Sequence, residues 1–344
     1  MKKMHSLDLP LYDALKKYSG SHPVSFHMPG HKMGKGVPRE FLKDLMEIDL
    51  TEIPGMDNLH NPSGVIKDAQ EAAAAAFGAD RTYFLVNGST CGIHAMIMSL
   101  CKPGDKIIAG RDCHKSFVDA MILGRIRPVF VKPEYNAGFG IPGALSPEAV
   151  EKALEEHPDA KCVFITRPNY YGICSDIEQI AEVTHAKGKP LAVDEAHGAH
   201  LAFSRALPSS ALEAGADICV QSAHKTLTAM TQGAYLHVRS GKVDLDRLEF
   251  YLSMVQTSSP SYVIMAFLDI ARGIMQEHGE EYLNELLDNI KWFEKGLKEL
   301  DKFSLLGRED ICHGDKDRTR LVINCKSLGI SGFKLDFLLR SRFN

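Results

Sequence analysis

The sequence predicts an α/β fold in which a mainly parallel central sheet is sandwiched by helices, followed by a smaller, partial α+β segment. Three observations predict it. From residue 65 onward, short apolar strands alternate with helical stretches. Asn87, Asp194 and Ser222 each sit just beyond such a strand, where open parallel sheets bind ligands. Past residue 261 the alternation gives way to long helical patterns.

Each element has a local reason. Residues 1 to 60 read as irregular apart from a short helix over Leu11 to Tyr18. The Gly-, His- and Lys-rich run 26–36 and the Pro- and Gly-broken run 49–64 are loops. Val65 to Phe77 is alanine-rich and helical, closed by Gly78. Strands follow at Tyr83 to Val86, Lys106 to Ala109, Pro128 to Val131, Cys162 to Thr166, Pro190 to Val193, Ala216 to Val220 and Ala234 to Val238. Helices between them run over Ser89 to Leu100, Lys115 to Leu123, Ser146 to Glu156 and Asp176 to Lys187. Pro147 at the first position of the third is the expected placement. Tyr262 to His278 and Glu280 to Leu300 read as two long helices, and Arg320 to Asn324 as a strand. Ser331-Gly332 opens a last helix. The chain thus divides into an arm with active-site loops (1–60), a large cofactor-binding domain (61–260) and a linker helix with an incomplete small domain (261–344).

Bulk properties exclude some functions. The 344 residues carry 40 basic and 44 acidic side chains, a net charge of -4. That balance argues against nucleic-acid and anionic-membrane partners. Met1-Lys2-Lys3 is basic, but Asp8 and Asp13 follow and no apolar leader stretch appears. No run approaches a membrane span. The eight cysteines form no CxxC pair and read as buried thiols in a reducing, cytoplasmic compartment.

The chemistry concentrates around Lys225. It lies in Ser222-Ala223-His224-Lys225-Thr226, after an apolar strand. Thirty-one residues earlier another apolar strand ends in Asp194. A lysine that forms a Schiff base, with a carboxylate that keeps a pyridine nitrogen protonated, is what pyridoxal 5'-phosphate (PLP) requires. Asn87-Gly88-Ser89-Thr90 lies between strand and helix, so backbone N–H groups and two hydroxyls make a phosphate cradle there. An ordinary N-cap is the plain alternative. Ser222 and His224 are further phosphate candidates, and His114 follows a strand at the same sheet edge, placed to stack on a flat ring. His197 and His200 are three apart, but no further ligand has metal-site spacing. Gly138 to Gly143 matches GxGxxG without the strand and helix that a dinucleotide site needs, and reads as a loop.

These residues sit in longer stretches that resemble a known family. FHMPGHKMGKG (26–36), DLTEIPGMDNLHNPSGVIKDAQ (49–70), VNGSTCGIHAMIMSLCKPGDKII (86–108), DCHKS (112–116), VDEAHGAH (193–200), ADICVQSAHKTLTAMTQGAYLHV (216–238) and SMVQTSSPSY (253–262) are similar to the Orn/Lys/Arg decarboxylases, fold type I PLP enzymes, in their compact Gram-positive arginine decarboxylase form. The resemblance implies that Lys225 carries the cofactor, Asp194 faces the pyridine nitrogen, and His114 and Ala196 lie on opposite ring faces. It implies phosphate binding by Ser89, Thr90, Ser222 and His224. Ser258 and Ser259, in the stretch from Gln256, would reach a partner subunit's phosphate, and the N-terminal loop a partner's substrate. A homodimer or larger even oligomer follows. One departure is Asn169, where the family carries threonine in the segment 167–172.

The implied reaction is α-decarboxylation of a basic amino acid, arginine to agmatine first, feeding polyamine synthesis. Lys225 or His224 would return the proton to Cα. Asp49, Glu52 and Asp57 are candidates for binding the basic side chain in trans. Two other readings stay open. One is another fold type I PLP reaction, transamination or β-elimination, with Arg318 or Arg320 holding the α-carboxylate. The other is an inactive PLP-binding remnant.

Overall fold

The computed structural model describes residues 10–343. Met1 to Lys3 and Asp8, which the leader argument used, lie outside the described residues, as does Asn344. Seven strands form the main sheet: β1 (Arg81–Leu85), β2 (Lys106–Gly110), β3 (Arg127–Val131), β4 (Val163–Thr166), β5 (Leu191–Asp194), β6 (Ile218–Gln221) and β7 (Ala234–Val238). Their spatial order is β3-β2-β4-β5-β6-β7-β1. The pairs from β3 through β6 are parallel. Only β7 is reversed, antiparallel to both β6 and β1. Two reversals cancel, so β1 points the same way as β6. The carboxyl ends of β1, β5 and β6 therefore share one edge.

Every residue of β5, β6 and β7 is buried, as strands covered on both faces must be. The helices are α1 (Pro10–Gly20), α2 (Val65–Phe77), α3 (Gly88–Leu100), α4 (Lys115–Gly124), α5 (Pro147–Glu156), α6 (Ile177–Ala186), α7 (Leu245–Val255), α8 (Tyr262–Lys298) and α9 (Gly332–Phe343). Residues of α3, α4 and α7 pack with sheet residues in one apolar cluster. Residues of α5 and α6 form a second cluster, and α2 with α8 a third. Local capping matches the composition. Gly78 closes α2 at φ +70, and Ser146 and Asp176 accept from the Ala149 and Gln179 N–H groups at the starts of α5 and α6.

Two expectations change. The pair of helices expected after residue 261 is one helix of 37 residues, α8. Gly279 does not end it. A Cβ at that position would stand 2.9 Å from Phe203 Cβ, so the glycine exists for close packing, and the flanking turns continue. The strand expected over Arg320 to Asn324 shrinks to Ile323–Asn324, paired with Ser304–Leu305. The residues before it do something else: Asp315 and Lys316 pair with Cys174 and Ile173. This brings the segment 315–320 to the ligand edge of the main sheet. The GxGxxG run closes a small hairpin of Tyr135–Asn136 with Ile141–Pro142.

Asp57 turns out to organise its own loop. Its carboxylate accepts from the backbone N–H groups of Asn58, Ser63, Gly64, Ile66 and Lys67. Burial alone would raise the carboxyl. The N–H groups of Ser63, Asn58, Gly64 and Lys67 outweigh it and hold the value down to about 2. A depressed carboxyl stabilises the fold above its unfolded value of 3.8, and that stabilisation fades as pH falls toward about 2. Asp57→Ala is expected to destabilise the 57–67 loop by about 1–3 kcal/mol through unpaired N–H groups. Urea unfolding near neutral pH measures it, and the gap between variant and parent should narrow as pH drops from about 4 to about 2.

Candidate active site

The β6 strand ends at Gln221, and a single helical turn, Ala223–Thr226, follows with Lys225 on it. The β5 strand ends at Asp194, with Ala196 two residues on. The β1 strand leads through Gly88, at φ +78, into the N-terminus of α3. Because these three ends share one edge, their side chains converge. Ser222 Oγ donates to Ser89 Oγ at 2.8 Å, across 133 residues of sequence. Thr90 is exposed in the same first turn of α3. Gln232 donates to the Val86 carbonyl at 2.7 Å, and His224 Nδ1 lies 3.2 Å from the Gly233 carbonyl, so the segment between β6 and β7 fastens the cradle.

Asp194 is 2% exposed. Among the described residues, its carboxylate accepts one hydrogen bond, from the Ala196 N–H at 3.1 Å. Burial raises its carboxyl, while the Ala196 N–H and the charges of Lys225 and His114 oppose that rise. Lys225 is pushed the other way. Burial lowers its ammonium, the Asp194 charge resists, and Arg320 adds to the lowering. Lys225, Asp194 and His114 thus share one electrostatic neighbourhood. His114 is also the N-cap of α4; its Nδ1 accepts from the Ser116 N–H at 3.2 Å.

His197 was a weak metal candidate in the sequence. In the structure its Nε2 lies 3.3 Å from Lys225 Nζ and its Nδ1 2.7 Å from Arg320 Nη2. Its neighbour His200 turns elsewhere, to Asp317 at 3.2 Å and Thr319 at 3.1 Å. The two histidines serve different networks. Burial, then Lys225 and Arg320, pulls His197 down to about 3. The edge of Tyr170 meets the His197 ring, with centroids 6.0 Å apart. Asn169 shapes that turn: its Oδ1 accepts from Tyr171 and Ile173 N–H, and its Nδ2 donates to Gly143. The signal for His197 was present, one residue past Ala196. Arg320 entered the sequence reading only as a candidate holder of an α-carboxylate; nothing local signalled its contact with His197, 123 residues away.

Other expected residues fall differently. Ser258 and Ser259 are exposed. Their stretch is tied to its own chain's cradle: Val86 N–H donates to Gln256 at 2.9 Å and Thr257 N–H to Asn87 at 3.1 Å. The 26–36 loop also docks on its own chain, with Gly30 N–H donating to the His224 carbonyl at 2.8 Å. Burial lowers Lys32, with Arg320 adding to the effect, so this loop reaches the same neighbourhood. Asp49 and Glu52 are exposed, whereas Asp57 is occupied by its own loop. A cavity of about 850 Å³ beside Asp269 to Tyr282 is lined by neither Lys225 nor Asp194.

Comparison with known proteins bears on the family and the fold. Residues 9–312 match the family model described as Orn/Lys/Arg decarboxylase, major domain. The chain belongs to that family. Its enzyme class is that of the PLP-dependent amino-acid decarboxylases. It is 41% identical to arginine decarboxylase of Bacillus subtilis (strain 168), over 99% of this chain and 71% of that protein. It is 37% identical to arginine decarboxylase of Bacillus anthracis, over 100% of this chain and 71% of that one. Among solved structures it superposes on lysine decarboxylase A from Pseudomonas aeruginosa with a TM-score of 0.69 at 23% identity, covering 92% of this chain and 50% of that one. The chain therefore spans about half the length of that solved relative. The shared architecture is that of fold type I PLP enzymes. No helix among the described residues is long and apolar enough to cross a membrane.

A Cβ on Gly30 would collide with the Leu227 carbonyl. Gly30→Ala is expected to undock the 26–36 loop while the main sheet stays folded. Limited trypsin digestion should cut faster at Lys32 and Lys35 with the denaturation midpoint nearly unchanged.

Proposed function

We propose that this protein decarboxylates a basic amino acid at Cα, arginine before lysine or ornithine, using PLP held between Asp194 and Lys225. The observation that carries the reading is the Asp194 carboxylate: buried, with one hydrogen bond, and beside a lysine that burial drives toward the neutral amine. Such a carboxylate needs a cationic partner, and a protonated ring nitrogen supplies one. Three buried hydroxyls nearby in the chain, on Thr166, Thr226 and Thr228, have no hydrogen-bond partner. Thr166 is in register with Asp194 on the next strand, and Thr226 follows Lys225. The donor set at Ser89, Thr90, Ser222 and His224 suits a phosphate at a helix N-terminus. These residues fit the cofactor.

When bound, PLP supplies the electron sink for the pair left by departing CO₂. The chain's own residues do the rest. Lys225 would provide the attaching amine, and His114 and Ala196 would help hold the ring. Asp194 keeps a positive charge on the ring nitrogen energetically favourable. Lys225 or His224 delivers the proton to Cα. Arginine leads because relatives at 37% and 41% identity are named arginine decarboxylases. The agmatine product would feed polyamine synthesis. Exposed apolar side chains, among them Phe26, Met46, Phe250 and Met254, support a homodimer or larger even oligomer. A cytoplasmic setting is proposed with it, on the scattered cysteines that form no CxxC pair.

Arg320 in the site also favours a second reading, because a guanidinium there suits the α-carboxylate of an aminotransferase substrate. Supplying arginine, lysine and ornithine in turn, and following CO₂ against keto-acid, separates the two. Decarboxylation predicts CO₂ and amine in equal amounts; keto-acid without CO₂ would establish transamination. Lys225→Ala should lose cofactor that borohydride fixes to the parent. Asp194→Ala should keep the cofactor's phosphate contacts yet lose about 100-fold or more in kcat, the scale of one deleted electrostatic partner.

A further inference from the structure

The hydrogen-bond polarity around His197 determines more than proximity. The imidazole lies between two cationic residue types, Arg320 on Nδ1 at 2.7 Å and Lys225 on Nε2 at 3.3 Å. A guanidinium only donates and stays charged. Nδ1 must therefore be the bare acceptor. A neutral imidazole with a bare Nδ1 carries its hydrogen on Nε2, and that N–H points at Lys225. An ammonium has no lone pair to receive it. The contact is satisfied only when Lys225 is a free amine.

We propose that Arg320 is a positioning residue: by donating to His197 Nδ1 it selects the Nε2–H tautomer, and that N–H holds Lys225 as an unprotonated amine. The inference deepens the reading above, in which Lys225 provides the attaching amine. The chain invests several contacts in Arg320. Its N–H donates to the Asp317 carbonyl at 3.1 Å, and Lys316 Nζ donates to the Arg320 carbonyl. Gly172, at φ +78, has no side chain; a Cβ there would stand 2.7 Å from Arg320 Cβ. The Asp315–Lys316 pairing with Cys174–Ile173 brings the whole segment in.

The charges facing this group come from several elements. Asp194 at the end of β5 and Asp317 beside Arg320 are anionic. His114 at the start of α4 and Lys32 of the docked loop are the basic residues there. Burial acts with the tautomer: it disfavours charge on both His197 and Lys225.

The test uses the full chain, freed of carbonyl cofactor and labelled with ¹⁵N-histidine. His197 is assigned by its loss in His197→Gln. The parent should show a pyridine-type Nδ1 and a pyrrole-type Nε2 near neutral pH. In parallel, competitive acetylation of Lys225 is followed by peptide mass spectrometry. Arg320→Met should blur the tautomer and cut Lys225 acetylation roughly tenfold near neutral pH, as an upward change of about one pH unit requires. Arg320→Gln keeps an N–H donor without the charge and should retain the parent tautomer and most of the reactivity. An Nδ1–H signature or an imidazolium in the parent overturns the proposal. So does an Arg320→Gln protein that behaves like Arg320→Met, which would reduce the role to charge alone. Neither readout needs turnover. A chain that failed to release CO₂ would defeat the decarboxylase reading and leave this one standing.

Discussion

A carboxylate shut away from water governs this structure. Asp194 ends a strand buried along its whole length, and its carboxylate meets one N–H among the described residues. Leaving such a group uncompensated is costly, so its surroundings must supply positive charge. Lys225 and His114 are the basic residues nearest it, at two other strand ends. The sheet topology makes this possible. With β7 reversed between β6 and β1, the carboxyl ends of β1, β5 and β6 meet, and the Ser89–Ser222 contact closes one side of the site.

The environment acts on the two key groups in opposite senses. Burial raises the Asp194 carboxyl and lowers the Lys225 ammonium, so both are pushed toward their neutral forms. Their mutual attraction pushes back. A cofactor that brings its own ring cation and consumes the amine resolves both tensions. His197 and Arg320 add direction to that balance. They turn a nonspecific loss of solvent into a defined hydrogen-bond order.

The segment 315–320 belongs to the part of the chain beyond α8, yet it works at the edge of the main sheet. Two strand-like residues, Asp315 and Lys316, carry it there, and the buried Asp317 locks it to His200 and Thr319. Asp317 illustrates the cost and the solution together. Burial pushes its carboxyl up, and His200 and Thr319 bring it down to about 2. The 26–36 loop arrives from the other end of the sequence, docking by Gly30 on the turn that bears Lys225. Both ends of the chain thus frame a site whose chemistry lies in the middle.

The sequence alone determined the alternation of strands and helices, because a buried parallel strand must be a short apolar run and its helices must be capped. Val193-Asp194 and the SAHK turn were legible for the same reason: a polar residue directly after an apolar run has only the ligand edge to occupy. Tertiary structure decided what is non-local. Gly279 reads as a break until Phe203 is seen pressed against it. Asp57 reads as a substrate-binding acid until five N–H groups are found to occupy it. Arg320 reads only as a candidate holder of a substrate carboxylate. Its role depends on a contact spanning 123 residues, which no local pattern encodes, since only the folded chain brings His197 within hydrogen-bond reach.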